Sequence, residues 1–388
     1  MKKILIIAKT PTHPTIEGNR WGILAQADIL RKLGNEVHFL YVYEKRLQRN
    51  EQETSKESLY KTQSYWGNSY HQYTVPLFEK IYFSIKKRIF GLLNIRQKCD
   101  SYYPVNIGKY VRKLDKYEHF DVCIVNYFFL TKLFEQINIP KKALFTHDNY
   151  TYKDLAIGSA IRKTDATIDA NQSAKSLQRS PYIFAVQDEE KIFFQMLSPH
   201  SRVYNIYSKY DYHSQRIVGN HGVLFLSGSN KHNLLGLKWF INDIFPLIVN
   251  KWADAKLYIG GSICNSIKEV IHNDNVIICG YIDDLSAFYR QGDVAINPVY
   301  QGTGLKIKTF EALSYDKVTL VHPHSMAGVY KKNEAPLFAS EKPEEWVKFL
   351  EAVWDNPKRI EEIKKHNAAY MKEMNEFIIS EYKRFLEA

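Results

Sequence analysis

The chain has 388 residues, of which 45% are hydrophobic and 24% charged, a composition that excludes a mainly disordered or fibrous protein. Two or three domains are expected at this length, and the net charge of +11 would suit nucleic acid, phosphorylated small molecules or an anionic membrane face. No apolar run approaches the length that spans a bilayer, and four cysteines without metal-type spacing predict reduced thiols in a cytosolic protein.

The first half of the chain opens with the pattern of a βαβ unit. Residues 4–8 are typical of a buried parallel strand, an amphipathic helix follows and stops at Gly34, and residues 37–43 predict a second strand. Further strands, with helices between several of them, are predicted over 122–125, 143–145, 182–186 and 203–207. The polar stretch 211–222 is the candidate linker to the second half.

Two stretches interrupt this alternation. Residues 44–75 are polar and are predicted to lack strands, whereas residues 76–98 are basic and aromatic, with apolar side chains at spacings that suit an amphipathic helix. The cations of the second stretch are Lys80, Lys86, Lys87, Arg88, Arg96 and Lys98. Two interpretations remain open: a surface helix whose apolar face packs on the core, and a patch that binds an anionic membrane surface.

The second half repeats the alternation of strands and helices. Strands are predicted over 223–226, 257–259, 276–279, 294–297 and 318–321, and helices near 233–250, 262–272, 284–290 and 305–315. The stretch 344–388 is helical, with a break at Pro357. Alternation of this kind in both halves predicts an α/β protein with a doubly wound sheet in each half.

The clearest chemical motif follows the fourth predicted strand of the second half. Gly302 and Gly304 would let backbone N–H groups approach a ligand, and the start of the next helix suits a phosphate. Lys306 and Lys308 add cations, and Glu311 lies one helical turn further on, where a carboxylate could accept hydrogen bonds from two ribose hydroxyls. The alternative is a loop shaped by its glycines and followed by a solvated helix face.

This motif and its surroundings resemble a known family. The segment Gly280-Tyr-Ile-Asp-Asp-Leu, the strand before Pro298 and the run from Gly304 to Val318 resemble the C-terminal half of glycosyltransferase family 4, in its bacterial surface-polysaccharide branch. The resemblance implies the GT-B fold, in which two doubly wound Rossmann-like domains face each other across a cleft. It also implies transfer with retained configuration, a nucleotide-sugar donor, and no metal or other cofactor.

The implied domains are an acceptor-binding domain over residues 1–215 and a nucleotide-sugar-binding domain over residues 216–388. The last helix, about 375–388, is expected to pack back on the first domain. A glycan or lipid-linked glycan acceptor is expected, which would bring a cytoplasmic enzyme to the inner face of an anionic membrane through residues 76–98. Nucleic acid is not expected as a partner, because the basic residues are spread and no binding module is present.

The resemblance also implies roles for individual residues. Glu311 would bind the ribose, and Lys308 and Lys306 would lie beside the diphosphate. The other nucleotide contacts are expected at Gly18, Arg20, Gly228, Ser229, Tyr281, Ile282, Thr303, Gly304 and Leu305. Three positions depart from the family pattern: Thr303 replaces the first of two paired glutamates, Ser229 the usual arginine, and Asn126 or Tyr127 a sugar-contacting histidine.

Two candidates keep an alternative. His147 follows a predicted strand, and it is either an acceptor-side catalytic residue or a structural one. Arg20 either contacts phosphate or is an exposed surface residue.

At the level of the whole chain, a retaining glycosyltransferase is the favoured function. The alternatives are a sugar-nucleotide epimerase on the same fold and a non-catalytic binding protein.

Overall fold

Two parallel sheets organise the chain in this computed structural model, which describes residues 1–15, 18–44, 49–156, 167–267, 273–302 and 307–388. One unit contains Met1–Ser208 together with Ile378–Ala388, and the other contains Lys209–Phe377. Each unit has its own parallel sheet with helical crossovers, so the predicted α/β class is confirmed. Among the described residues, no helix is both long and apolar enough to cross a membrane.

The first unit is built on seven strands. They are β1 Lys3–Ala8, β2 Glu36–Tyr43, β3 Tyr70–Thr74, β4 Val122–Asn126, β5 Lys141–Phe145, β6 Tyr182–Ala185 and β7 Arg202–Asn205. The sheet order is β3-β2-β1-β4-β5-β6-β7, and every neighbouring pair is parallel. The helices are α1 Gly18–Lys32, α2 Arg49–Trp66, α3 Leu77–Leu92, α4 Ile107–Glu118, α5 Lys153–Ala156, α6 Ala170–Gln178 and α7 Asp188–Leu197.

The prediction that residues 44–75 lack a strand was wrong. This stretch contains α2 and the edge strand β3, which pairs with β2 from Phe39↔Tyr70 onward. An edge strand needs only one paired side and one buried face, so a mostly polar sequence can form it. Two aromatic side chains supply the burial, Trp66 with 4% of its surface exposed and Tyr73 with 8%.

The second unit is built on six strands. They are β8 Gly222–Leu226, β9 Lys256–Gly260, β10 Val276–Gly280, β11 Val294–Asn297, β12 Val318–Val321 and β13 Leu337–Ala339, in the order β10-β9-β8-β11-β12-β13. The short edge strand β13 is absent from the predicted elements. The helices are α8 Lys231–Trp239, α9 Phe245–Lys251, α10 Leu285–Tyr289, α11 Ile307–Ser314, α12 Pro343–Trp354 and α13 Pro357–Glu387. Of the predicted helix 262–272, Ser262–Ser266 is a 3-10 turn and 268–272 lies outside the described residues.

The candidate linker is bonded to the second unit along its length. The Tyr212 hydroxyl donates to Asp316 at 2.6 Å, and the backbone N–H of Val218 donates to buried Asp293. The end of α13 belongs instead to the first unit, where the ring of Phe385 packs edge-on against Phe184 at 4.8 Å.

Candidate functional site

The carboxyl ends of β8 and β9 form a tight pair of turns in the second unit. Gly261 has a φ of +93°, and a Cβ at this position would lie 2.4 Å from the carbonyl oxygen of Ser227, so only glycine fits. The backbone N–H of Ser229 donates to the Ser262 hydroxyl at 2.9 Å, and its own hydroxyl contacts that of Ser266 at 2.6 Å. Neutral hydroxyls therefore fix the loop at the position where the family pattern has an arginine.

The side chain of Asn233 joins this loop to α11. Its Nδ2 donates to the carbonyl oxygen of Gly228 at 2.9 Å, and its Oδ1 accepts from Lys308 Nζ at 2.6 Å. Asn230 caps the start of α8 by accepting from the backbone N–H of Asn233. The ammonium of Lys308 also lies 5.8 Å from the centre of the Phe225 ring. One cation is thus held beside the end of β8, where ligands bind in open α/β sheets.

Glu311 lies three residues after Lys308 on α11 and is half-buried. Its Oε1 accepts a hydrogen bond of 2.9 Å from the Tyr289 hydroxyl at the end of α10. Burial raises the pKa of the Glu311 carboxyl, and Tyr289 and Lys308 oppose that rise. The carboxyl is therefore held in one orientation by a buried tyrosine, with a cation on the same helical face.

The glycine loop before α11 is only partly described. Gly302 has a φ of +105°, and its carbonyl oxygen accepts a hydrogen bond from His324 Nε2 at 2.9 Å. Four predicted phosphate-loop residues, Thr303, Gly304, Leu305 and Lys306, lie outside the described residues. The described part of the helix begins at Ile307.

The predicted base-binding residues follow β10. The side chain of Tyr281 is 62% exposed, which leaves its ring free to stack on a planar ligand. Ile282 instead packs into a small cluster with Leu224 and Phe288. The structure thus links Gly228 to Lys308 through Asn233. Glu311 lies one turn further along α11 against Tyr289, and Tyr281 begins the loop that leads to α10.

The first unit has its own set of polar side chains at the carboxyl ends of its strands. Asn126 ends β4, and its Nδ2 donates to the Ile7 carbonyl oxygen at 3.1 Å, which turns its Oδ1 toward His147 Nε2 at 2.7 Å. Nε2 of His147 therefore carries the hydrogen, and Nδ1 keeps its lone pair. Tyr127 stacks on the imidazole at 4.5 Å, and both residues have positive φ, 73° and 61°.

Burial of His147 lowers its pKa to about 3, so the imidazole is neutral at physiological pH. Gly22 of α1 faces this ring, because a Cβ on Gly22 would lie 3.7 Å from Nδ1. The predicted histidine thus meets Asn126 and Tyr127, the positions where the family pattern expects its sugar-contacting histidine. Strained backbone at two adjacent strand ends is typical of a functional site.

A buried carboxyl group lies nearby on α7. Burial and the charge of Asp148 raise the pKa of Glu190 to about 8. Oε1 of Glu190 accepts from Gln187 Nε2 at 3.1 Å, whereas Oε2 is buried with no hydrogen-bond partner among the described residues. Asp148 forms an ion pair with Lys153.

The two predicted α1 residues lie at the start of that helix. Gly18 is its first residue. The Arg20 guanidinium donates to the carbonyl oxygens of His13 at 3.0 Å and Pro14 at 3.3 Å. Part of the guanidinium thus binds the preceding loop, which fixes the position of its charge at the amino end of α1.

Sequence reasoning did not predict the contacts that four further residues make in these sites. Asn233, Tyr289 and His324 contact the predicted site residues, and Glu190 lies beside Asp148. Their partners are far away in the chain, so spacing carries no signal for them. Only Asn230, three residues before Asn233, is a local signal, because this spacing is typical of a helix cap.

Comparison with known proteins gives a family match within the second unit. A family model described as Glycosyl transferases group 1 matches residues 220–356. The chain is also 23% identical over 351 residues to the "Uncharacterized 44.6 kDa protein in cps region" of Klebsiella pneumoniae, across 81% of both chains. The family resemblance of the sequence motifs is thereby confirmed.

Solved structures extend the likeness to the whole chain. A mutant of S. aureus TarM, in complex with Fondaparinux, alpha-GlcNAc-glycerol and UDP, has a TM-score of 0.67 at 10% identity, with full coverage of both chains. The pneumococcal O-GlcNAc transferase GtfA, in complex with UDP and GlcNAc, has a TM-score of 0.65 at 10% identity, with 100% of this chain and 98% of that chain covered. Anabaena Alr3699/HepE, in complex with UDP and glucose, has a TM-score of 0.63 at 11% identity, with full coverage of both chains. These likenesses confirm the predicted GT-B fold.

Proposed function

Residues 220–356 match the model of the glycosyl transferases group 1 family, and from that match we propose that the chain is a retaining transferase using a UDP-sugar. The acceptor is a glycan or a lipid-linked glycan. The observation that carries the proposal is the pairing of Lys308 and Glu311 on α11, held by Asn233 and Tyr289. UDP as the donor nucleotide is supported by the complexes of TarM, GtfA and HepE, which all contain it.

On the donor side, each group has a chemical task. The Glu311 carboxylate accepts hydrogen bonds from the ribose hydroxyls, and the exposed ring of Tyr281 stacks on uracil. Lys308 lies beside the diphosphate, whose negative charge grows as the sugar leaves. A cation fixed in advance by Asn233 stabilises that charge without having to reorganise. Lys306 and the backbone N–H groups of 303–305 complete the predicted phosphate loop.

On the acceptor side, His147 is the favoured contact. Its neutral imidazole keeps a lone pair on Nδ1, which can accept a hydrogen bond from an acceptor hydroxyl. In a retaining reaction the attacking hydroxyl, a different one from the hydroxyl hydrogen-bonded to Nδ1, approaches from the face that the diphosphate leaves, and the departing phosphate takes its proton. No protein nucleophile is needed.

We further propose that α3 attaches the enzyme to an anionic membrane. Many of its apolar side chains point to solvent rather than to the core, with Phe78 66%, Tyr82 58% and Ile85 54% exposed. The interpretation in which this face packs on the core therefore fails for these residues. The other side of the helix is attached to the first unit. There Phe83 packs on the core, and buried Glu79 accepts a hydrogen bond from the Val105 N–H at 3.2 Å.

The charges next to this face favour lipid over a protein partner. Lys86 lies 5.6 Å from the Tyr82 ring and 5.7 Å from the Phe90 ring, so a cation and two aromatic side chains share one surface. Lys87 and Arg88 follow in the sequence. Cations at headgroup level above inserted aromatic and aliphatic groups are typical of interfacial helices, and the inner face of the membrane is where a lipid-linked acceptor would be met.

Thermal unfolding in the presence of UDP, GDP, dTDP and CMP tests the donor. We expect UDP to raise the melting temperature most, by the equivalent of about 2.7 kcal/mol at a hundredfold excess over Kd.

Incubating the UDP-sugar with and without a lipid-linked acceptor then distinguishes the three candidate functions. A transferase forms product only with the acceptor, an epimerase changes the sugar nucleotide alone, and a binding protein does neither.

A further inference from the structure

Two histidines and a glutamate that the transfer reaction does not use come together near one edge of the first sheet. His38 lies on β2, His71 on the edge strand β3, and Glu118 is the last residue of α4. One ligand atom from each of the three lies within 4.8 Å of the others. We propose that these three side chains bind a zinc ion.

The hydrogen bonds of His38 prepare its ring for a metal. Its Nε2 contacts the Glu36 carboxylate at 2.7 Å, so this nitrogen carries the hydrogen and Nδ1 keeps a lone pair. A carboxylate that holds the far nitrogen of a histidine ligand is the usual outer support of a zinc site. Nδ1 in turn faces His71 Nε2 at 2.8 Å.

The same hydrogen bonds define what binding must change. Without metal, His71 Nε2 donates to His38 Nδ1. When zinc binds, the hydrogen of His71 moves to its Nδ1, both facing nitrogens become ligands, and they separate to roughly 3.3 Å for tetrahedral Zn–N bonds of about 2.0 Å. Burial keeps the pKa of His71 below its ordinary value, which favours the neutral ring that a metal requires.

Charge and access also suit a cation. Among the described residues, Glu36 and Glu118 share the ammonium of Lys3, which pairs with Glu118 and lies 3.4 Å from Glu36. Zinc would replace the Lys3 ammonium as the partner of Glu118, and Lys3 would keep its ion pair with Glu36. His38 is buried, but the Glu118 side chain is 26% exposed, so a water molecule can complete the coordination.

The position of the cluster separates it from the chemistry. His38 and His71 lie near the amino ends of their strands, and α4 ends just before β4 begins, whereas Asn126 and His147 lie at the carboxyl ends. Zinc here would tie β3 and α4 to β2, which is a structural role. The proposal is therefore independent of the proposed function.

Zinc titration of the chelator-treated full chain, in competition with a chromophoric chelator, tests the site. We expect one ion per chain, a rise in melting temperature, and at least a tenfold loss of affinity in His71→Ala and in Glu118→Gln. His221→Ala is the matched control, because His221 also contacts a carboxylate, that of Asp254 at 2.8 Å, but lies in the second unit.

Cobalt provides a second measurement, since tetrahedral Co²⁺ gives visible absorption that His71→Ala should abolish. If His71→Ala fails to fold, Glu118→Gln at the exposed side of the cluster gives the same comparison. The absence of saturable zinc binding, or equal affinity in the parent and in a folded cluster variant, would overturn the proposal.

Discussion

The amide of Asn233 determines where the charge of the donor site lies. Its oxygen accepts from Lys308 and its nitrogen donates to Gly228, so only one orientation of the amide serves both partners. Asn230 fixes the backbone beneath it. Replacing Asn233 would release Lys308 from a neutral acceptor while keeping its charge, so position and charge can be tested separately.

Glu311→Ala should weaken UDP binding, because it removes a carboxylate assigned to the ribose. A hydrogen bond to a charged group is worth about 1.5–3 kcal/mol, which is a loss of roughly ten- to a hundredfold in affinity. Calorimetric titration with UDP measures it. Tyr289→Phe is the matched control, since it removes only the 2.9 Å contact that orients the carboxyl and should cost less. Unchanged affinity in a folded Glu311→Ala protein would remove this residue from the site.

Lys308→Ala should lower kcat more than it changes KM, because the charge of its partner grows only in the transition state. Steady-state kinetics with UDP-sugar and acceptor measure both constants. In Asn233→Ala the cation remains but is no longer held by the amide, so the decrease in kcat should be smaller. A rise in KM at constant kcat in Lys308→Ala would contradict the role.

Glu190 should make stability depend on pH. Its pKa is raised from 4.5 to about 8, so between these values the folded state binds one more proton than the unfolded state. The free energy of unfolding is therefore highest, as far as this group is concerned, below pH 4.5. It falls as the pH rises to about 8 and does not change further above that pH. Glu190→Gln should flatten this dependence, by on the order of a few kcal/mol.

Urea unfolding at pH 6 and pH 9 measures the difference for parent and variant. Glu189→Gln serves as the control, because Glu189 is the exposed neighbour on α7. If Glu190→Gln and Glu189→Gln lose equal stability between the two pH values, Glu190 is not the group that titrates.

At the scale of elements, α3 exposes an apolar surface that has no partner among the described residues. One side is fastened through Phe83 and Glu79, and the other exposes aromatic and aliphatic side chains beside cations. Water does not favour such a face, and an anionic lipid surface satisfies both its apolar and its charged groups.

Replacing Lys86, Lys87 and Arg88 with serine should release the protein from anionic vesicles without changing its melting temperature. Each cation contributes about 1 kcal/mol near an anionic leaflet, so roughly a hundredfold loss of binding is expected. Vesicle sedimentation at low and high salt measures it, and binding of the parent should fall as salt screens the charges. Neutral vesicles are the control. Sedimentation of the variant equal to that of the parent would show that attachment lies elsewhere.

The predicted and observed elements agree where strands are buried on both faces. The runs that became β1, β4 and β8 are continuously apolar, and such runs are visible in a sequence. Of the four edge strands, β3 and β13 were missed because they are polar or short, whereas β7 and β10 overlap predicted strands. In the site, Glu311 and Lys308 were identifiable from spacing on one helix, whereas Tyr289 and Asn233 meet them only through the fold.

At the scale of the whole molecule, one expectation concerns metal. Transfer should survive EDTA, because the cations of the donor site replace a metal at the departing diphosphate. Activity should be compared with and without EDTA in both the parent and His71→Ala, so that loss of a structural ion cannot be mistaken for loss of a catalytic one. Activity that EDTA abolishes in both proteins and Mg²⁺ or Mn²⁺ restores would contradict this expectation.

The last eleven residues, Ile378–Ala388, belong to the first unit although the whole second unit precedes them in the chain. Within the first unit, Tyr382 and Phe385 are fully buried, and Phe385 packs on Tyr182, Phe184 and Tyr204. During synthesis on the ribosome the first sheet is complete long before its last helical segment emerges. Until then the rings of Tyr182, Phe184 and Tyr204 lack their contact with Phe385 and stay exposed, because the contacting residues are very far apart in the sequence. The packing of Phe385 on the first sheet must therefore follow translation of the second unit.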